Sequence, residues 1–372
     1  MTAIVGNAKQ SQSTGLGTDL VLRASNVSVE YAGARPTRAV RDVSLELRRG
    51  EVLGIVGESG CGKSTFAYAL TRMLRPPARM TAGVIEYYDR DGETVDLAQL
   101  SGERLRAFRW GKVSMVFQSA MNALNPVTSI GSQMEDIFRA HRPQMGRAAR
   151  RARAGELLEM VGIDPRRIRS FPHELSGGMR QRVVIAMALA LEPEVVVMDE
   201  PTTALDVLVQ REILDEIERL RAQLGFAVVF ITHDLALLLE ISDRLAVMYA
   251  GQVVEYAPAE QVALAPLHPY TRGLLRSFPD LRGERKDLRG IPGSPPDLRN
   301  ALTGCPFAPR CESVFEPCVE VAPQLLVPSG RSGGGAWPVA CHLHDPQYAG
   351  PGTSTGTSTG TSTGTATSGG NA

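Results

Sequence analysis

Apolar and polar residues follow two different rhythms along this chain. From Leu20 to Tyr31, LVLRASNVSVEY, the run has the alternation of a half-buried strand. Three shorter runs, EVLGIVG, EVVVMDE and AVVFITHD, are apolar almost throughout. Continuous apolar runs of this length, closed by polar or turn residues, fit strands buried on both faces of a parallel sheet. Between the second and third lies VLVQREILDEIERLRAQL, Val207 to Leu224, with apolar residues at helical spacing and charges between them. Strand, helix and strand in that order predict an α/β fold around a parallel sheet.

The texture changes at both ends. Residues 1–20 are small and polar, a loose leader ahead of the folded region at 21–262. Beyond Val262 the sequence turns Pro- and Gly-rich, which marks residues 263–349 as a separate extension. The tail, 350–372, is low-complexity Gly/Ser/Thr and cannot bury enough apolar surface to offset its ordering entropy, so it is expected to be disordered.

Composition narrows the class only slightly. A chain of 372 residues with 43% hydrophobic and 22% charged residues can hold one large or two modest globular domains. Lysine plus arginine and aspartate plus glutamate both number 40, so no charge excess points to nucleic acid. The longest apolar run, VVIAMALAL, stops at Glu192 and Pro193, well short of a membrane span. The N-terminus lacks a basic region followed by an apolar one, so no secretory signal is read there and the expected compartment is the cytoplasm. In that reducing setting, clustered cysteines favour metal over disulfide.

Three motifs carry chemistry. GIVGESGCGKST places Gly57, four residues, and then Gly62-Lys63-Ser64 directly after a strand, the pattern of a phosphate-binding loop. Its glycines let backbone N–H groups turn inward around phosphates, and the following helix points its positive end at them. Lys63 is expected to reach the β- and γ-phosphates, and the Ser64 hydroxyl to bind Mg²⁺. Cys61, inside the loop, reads as a small tolerated residue and not a ligand. In VVVMDEP, Asp199 closes an apolar strand and offers a carboxylate to the metal, while Glu200 follows as the candidate general base. In HELSGGMRQRVVIAMALA, a Ser-Gly-Gly turn opens a helix, either as a second anion-binding helix start or as an ordinary cap by Ser176. Two phosphate sites in one chain make sense if two such chains sandwich ATP.

Together these motifs resemble the nucleotide-binding subunit of an ABC transporter, over roughly Leu20 to Val262. That resemblance implies a RecA-like core with an antiparallel β subdomain and a helical signature subdomain. LSGGMRQ is similar to the ABC signature, which assigns Ser176, Gly177, Gly178 and Gln181 to a partner's nucleotide. Gln118 in VFQSAMNALNP resembles the Q-loop, with a role in catalysis and toward Mg²⁺. Asp206 in ALD resembles the D-loop, His233 in ITHD the switch histidine at the γ-phosphate, and Tyr31 the aromatic that stacks on adenine. The phosphate site on this likeness comprises Gly57, Ser59, Gly60, Gly62, Lys63, Ser64 and Thr65, with Ser64, Gln118 and Asp199 toward Mg²⁺. The segment from Gln118 to Pro126 is expected to form an exposed apolar patch beside the groove for a membrane-subunit helix.

The stretches SAMNALNPVTSIGSQ, HPYTRGLL, IPGSPPDL and GCPFAPRC resemble dipeptide and oligopeptide importer ATPases, and nickel importers share much of the pattern. The resemblance implies ATP hydrolysis that powers peptide uptake, at the cytoplasmic face of the membrane. The implied partners are a second, homologous or identical, ATPase subunit, two transmembrane permease subunits and an extracytoplasmic peptide-binding protein. A soluble ABC ATPase acting on ribosomes or DNA is the competing class. Only about 110 residues separate Lys63 from Ser176, with no heptads between them and no second module.

Four of the five cysteines remain, Cys305, Cys311, Cys318 and Cys341, spaced C-x5-C-x6-C-x22-C. No C-x2-4-C knuckle of the usual structural zinc site occurs among them. Four thiolates without knuckles suit a [4Fe–4S] cluster, whose iron atoms spread the ligands farther than one Zn²⁺ would. The resemblance to importer ATPases also implies such a cluster. Zinc, with His342 or His344 as substitute ligands, and free packing thiols are the alternatives. A centre here would staple an extension that looks too poor in apolar residues to hold itself folded.

Overall fold

Val52–Val56 (β3), Val195–Asp199 (β7) and Ala227–Ile231 (β8) are buried at every residue and lie side by side in parallel. They form the middle of a six-stranded sheet ordered β10-β9-β3-β8-β7-β6, with β6 at Val113–Val116, β9 at Arg244–Tyr249 and β10 at Gln252–Pro258. Only the β9–β10 pair is antiparallel. Alternate residues of each central strand face opposite layers: Val196 and Met198 join one apolar cluster, Val195 and Val197 the other. The computed structural model describes residues 19–118, 123–203, 205–277, 290–328 and 337–348. The Gly/Ser/Thr tail and nearly all of the leader lie outside these residues.

Leu20–Tyr31 (β1) belongs to a second, antiparallel sheet ordered β2-β1-β4-β5, with β2 at Thr37–Arg48, β4 at Ala78–Tyr88 and β5 at Thr94–Asp96. Its apolar face shares the cluster of Leu53, Ile55 and Val197, so it covers one side of the larger sheet. Lys63–Leu70 (α1) lies in the same layer and buries Phe66, Ala67 and Leu70 there.

Gly102–Gly111 (α2), whose Phe108 packs in that same layer, leads to a helical group on the opposite side, Ile130–His141 (α3), Arg147–Met160 (α4) and Gly177–Ala188 (α5). α3 buries Ile130, Met134, Ile137 and Phe138, the one-face spacing of an amphipathic helix. Val207–Leu224 (α6) spans the helix expected from the sequence, with Asp206 accepting from Val209 N at its start and Gly225 at φ 72° ending it. Leu235–Ile241 (α7) follows β8, and Ala259–Leu264 (α8) follows β10.

The C-terminal extension is not separate from this body, contrary to the compositional reading. It contributes Pro269–Arg276 (α9) and Glu316–Glu320 (α10), and its Tyr270, Phe307, Trp337 and Val339 enter the main apolar cluster. Tyr256 N donates to Pro338 O at 3.1 Å and Ala340 N to Val254 O at 2.8 Å, so residues 338–340 line the free edge of β10. The fully buried Glu255 carboxylate accepts from Leu267 N and His268 N at 2.7 and 3.0 Å, fixing the start of α9. Pro and Gly content marks the extension's short elements. It says nothing about single aromatic residues inserted into another unit's core.

Candidate functional site

The larger sheet presents the carboxyl ends of β3, β7 and β8 along one rim, where open α/β sheets hold their ligands. After β3 the chain turns through Gly57, Ser59 and Gly60 into Gly62, which stands at φ 102° at the start of α1. A Cβ on Gly62 would lie 2.1 Å from Ala39 O, so only glycine fits between the loop and β2. Lys63 is buried, and its Nζ donates to Gly57 O at 2.7 Å and Glu58 O at 3.0 Å. Its ammonium therefore sits inside the loop, where a phosphate would meet it. Tyr31 OH lies 3.0 Å from Thr65 Oγ1, which places that ring beside the first turn of α1. Cys61 is buried, and burial pushes its thiol up, so it is no reactive thiolate.

Asp199 ends β7 with no exposed surface, and its Oδ1 accepts from Ser64 Oγ at 3.0 Å. Its Oδ2 is buried without a hydrogen-bond partner. Burial pushes the Asp199 carboxyl above its usual range, against the Ser64 hydrogen bond and the charge of Lys63, with Glu200 adding to the rise. An orphaned buried carboxylate oxygen beside a hydroxyl is a hard-oxygen donor set, and it fits Mg²⁺.

Glu200 follows in the left-handed region at φ 47°, held there as its N–H donates to Ile231 O at 2.8 Å. For a glutamate this backbone costs roughly 1–3 kcal/mol, a strain typical of reactive positions. It brings the carboxylate to three partners. Gln118 Nε2 donates to Oε2 at 2.8 Å, Thr203 Oγ1 donates to Oε2 at 3.1 Å, and His233 Nδ1 lies 3.2 Å from Oε1. Two residues singled out from separate stretches of sequence, Gln118 and His233, thus meet at the Glu200 carboxylate.

The signature residues stand elsewhere. Ser176 caps α5 by accepting from Met179 N at 3.3 Å, and a Cβ on Gly178 would lie 2.7 Å from Val209 Cγ1, so Gly177, Gly178 and Asp206 form one neighbourhood. Among the described residues, no hydrogen bond or ion pair joins that neighbourhood to the phosphate loop. Gln181 is 2% exposed, and its Nε2 is buried without a hydrogen-bond partner. Leu124 is also buried, in the cluster of Ile130 and Met134, and the exposed apolar residue Val127, 81% exposed, lies just beyond that segment. Residues 119–122, including Ala120, lie outside the described residues.

The four clustered cysteines come from three segments and line one small cavity with His268, Phe307 and His342. Cys305 N donates to Cys318 O at 2.8 Å. Burial, with added repulsion from the neighbouring thiols, pushes Cys305 to about 11 and Cys341 to about 12. His342 Nε2 lies 2.8 Å from Val321 O and His344 Nε2 3.1 Å from Leu267 O, while His342 Nδ1 is buried without a hydrogen-bond partner. Among the described residues, no group of three or more His, Cys, Asp or Glu is arranged to hold a metal ion.

Comparison with known proteins agrees with this geometry. The ABC transporter family matches residues 40–203, and the oligopeptide/dipeptide transporter C-terminal region matches residues 254–318. A Brucella melitensis protein named peptide import ATP-binding protein is 46% identical over 303 residues, covering 78% of this chain and 89% of that one. The dipeptide transport ATP-binding protein DppD of Bacillus subtilis is 41% identical over 321 residues, covering 85% and 94%. The chain belongs to the peptide-import family of ABC transporter ATP-binding proteins. Its fold is that of the cassette. A dimeric ATP-binding cassette solved in a post-hydrolysis state with ADP and Pi superposes with a TM-score of 0.56 at 30% identity, covering 64% of this chain and 98% of that one.

In this ABC ATPase the sequence reading missed Glu58, Tyr270 and Arg310. Arg310 is 4% exposed at its side chain and forms an ion pair with Glu58 inside the phosphate loop. Glu58 and Arg310 stand 252 positions apart, and no local pattern links them. The one available signal was an arginine beside Cys311 in a stretch otherwise short of charge.

Proposed function

We infer that this chain is the ATP-hydrolysing subunit that powers uptake of dipeptides or oligopeptides through an ABC importer. The observation that carries the reading is the union, in one chain, of an ABC transporter region at 40–203 with a C-terminal region of the oligopeptide/dipeptide transporter type at 254–318. The names of the Brucella and Bacillus relatives point the same way.

The loop backbone and Lys63 take the β- and γ-phosphates at the start of α1, and Tyr31 lies against the adenine. Ser64, Asp199 and Gln118 are the residues that would hold Mg²⁺, which supplies neutralisation of charge on the phosphate oxygens. Glu200 accepts a proton from the attacking water. The water oxygen bonds the γ-phosphorus as its bond to the ADP oxygen breaks, leaving ADP and phosphate. His233, held at Glu200 Oε1, orients toward the γ-phosphate. Ser176, Gly177 and Gly178 at the start of α5, with Asp206 beside them, serve the nucleotide of a second ATPase subunit. What supports that role is the exposure of Ser176 and Asp206 and the separation of all four from this chain's own phosphate loop.

The assembly comprises that second subunit, homologous or identical, two transmembrane permease subunits and an extracytoplasmic peptide-binding protein, with this chain peripheral at the cytoplasmic face. Among the described residues no helix is long and apolar enough to cross a membrane, which supports a peripheral place. Cys305, Cys311, Cys318 and Cys341 are the residues that would hold a [4Fe–4S] cluster stapling the extension, although among the described residues their side chains are not already set as a metal site. The support is their convergence on one cavity. Hydrolysis by the reconstituted importer tests the reading: peptide delivered by the binding protein should stimulate phosphate release. A rate indifferent to every di- and oligopeptide offered would overturn it.

A further inference from the structure

Glu58, the second residue of the phosphate loop, is held by the C-terminal extension at two independent points. The Arg310 guanidinium meets its carboxylate as a fork, Nη1 to Oε2 at 2.7 Å and Nη2 to Oε1 at 2.9 Å. Its backbone N–H donates to Tyr270 OH at 2.9 Å. Its carbonyl, in turn, accepts from Lys63 Nζ at 3.0 Å. Side chain, N–H and C=O of this one loop residue are therefore all engaged, two of them by the extension.

The two anchors are themselves fixed. Arg310 Nε donates to Pro292 O at 2.7 Å and Nη1 to Tyr249 OH at 3.2 Å, and the guanidinium carbon lies 5.7 Å from the Tyr249 ring centroid. Tyr270 is fully buried, its ring 4.6 Å from that of Tyr249 and 5.4 Å from that of Phe307. Both side chains have given up their rotamer freedom before any ligand arrives, and a planar guanidinium fork sets direction as well as distance. They reach Glu58 from two segments, α9 and the turn before Cys311, at the place where the loop leaves β3. The next residues, Ser59 and Gly60, are exposed, and Gly60 has open space around it. Without an anchor at Glu58 that stretch has little to order it, and a nucleotide would have to order it on binding.

We propose that Arg310 and Tyr270 are positioning residues for nucleotide binding, which hold Glu58 and thereby set the phosphate loop in its receptive form. The proposal rests on the nucleotide-binding reading of the loop and adds the extension to that site. A purely structural staple would stabilise the protein and leave affinity for nucleotide alone.

The test is the equilibrium affinity of the full-length chain for ATP, with KM and kcat of hydrolysis in the assembled importer and the melting temperature alongside. Tyr270→Phe removes one oxygen and should weaken ATP binding roughly fivefold, the value of one hydrogen bond. Arg310→Gln should weaken it about tenfold or more, with KM rising further than kcat falls and Arg310→Lys recovering part of the loss. Adding Glu58→Gln to Arg310→Gln should cost little beyond the single change, because both remove one interaction. Affinity and KM within about twofold of wild type in Tyr270→Phe and Arg310→Gln, with only melting lowered, would overturn the proposal. If Arg310→Gln does not fold, Tyr270→Phe decides alone. Wild-type chain that fails to bind ATP would overturn the nucleotide reading itself, an outcome distinct from variants that bind as wild type does.

Discussion

Gln118 donates from Nε2 to Oε2 of Glu200 at 2.8 Å, joining the loop after β6 to the carboxylate after β7. Because His233 approaches the other oxygen at 3.2 Å, the base is oriented from both sides before substrate arrives. Replacing Glu200 with Gln keeps an oxygen for these partners but cannot take a proton from water. The variant should bind ATP, trap it in a closed dimer, and hydrolyse it about 10²–10⁴-fold more slowly. Phosphate release at saturating ATP reads this out, and a wild-type rate in a complex with both sites substituted would remove Glu200 from the base role.

Lys63 acts earlier, on binding. Lys63→Ala deletes the ammonium that bridges the Gly57 and Glu58 carbonyls and meets the phosphates. ATP affinity should fall by about 10–100-fold, the scale of a charged hydrogen bond. Titration with a fluorescent ATP analogue measures it, and unchanged affinity would place the phosphates elsewhere.

The core of the parallel sheet was legible from the sequence because its strands rest on local signals, whereas the antiparallel sheet followed only from the family resemblance. β1 and α6 fall on the segments that alternation and helical spacing marked, and Gly62, Asp199 and Glu200 sit where strand ends put them. What the sequence hid was long-range. Leu124 reads as an exposed apolar residue until α3 is seen to cover it. The extension reads as a separate unit because Tyr270, Phe307 and Trp337 are isolated aromatics without period, yet they share the cassette's core. Arg310 reaches Glu58 only once that core has formed.

Glu194 supplies a pH test of the link between the two sheets. Its carboxylate takes an ion pair from Arg49, accepts from Tyr87 OH at 2.8 Å and lies 3.4 Å from Lys112 Nζ. Burial alone would raise its carboxyl, but the Tyr87 and Arg49 hydrogen bonds and the Arg49 and Lys112 charges hold it below the ordinary 4.5. A carboxylate with a depressed folded value stabilises the protein above its ordinary value, and that stabilisation is lost as pH falls through the folded one. Glu194→Gln should therefore cost about 2 kcal/mol at neutral pH, with the gap to wild type closing below pH 4.5. Urea denaturation at several pH values decides, and a gap that does not change with pH would contradict the assignment.

The cysteine site predicts a colour. Anaerobically purified protein should be brown, with about four iron and four sulfide per chain. Colourless protein carrying one zinc would remove the cluster and keep the staple. Because Arg310 precedes Cys311 and holds the phosphate loop, Cys318→Ser should lower ATP affinity as well as the stability of the extension.

Uptake is the most direct test of the whole account. Proteoliposomes holding the assembled importer, with ATP on the side of this subunit and the binding protein on the other, should accumulate labelled dipeptide or oligopeptide. The same complex carrying Glu200→Gln in this chain should accumulate little. Accumulation at the wild-type rate by the Glu200→Gln complex, or wild-type ATP hydrolysis with no peptide entering, would contradict it.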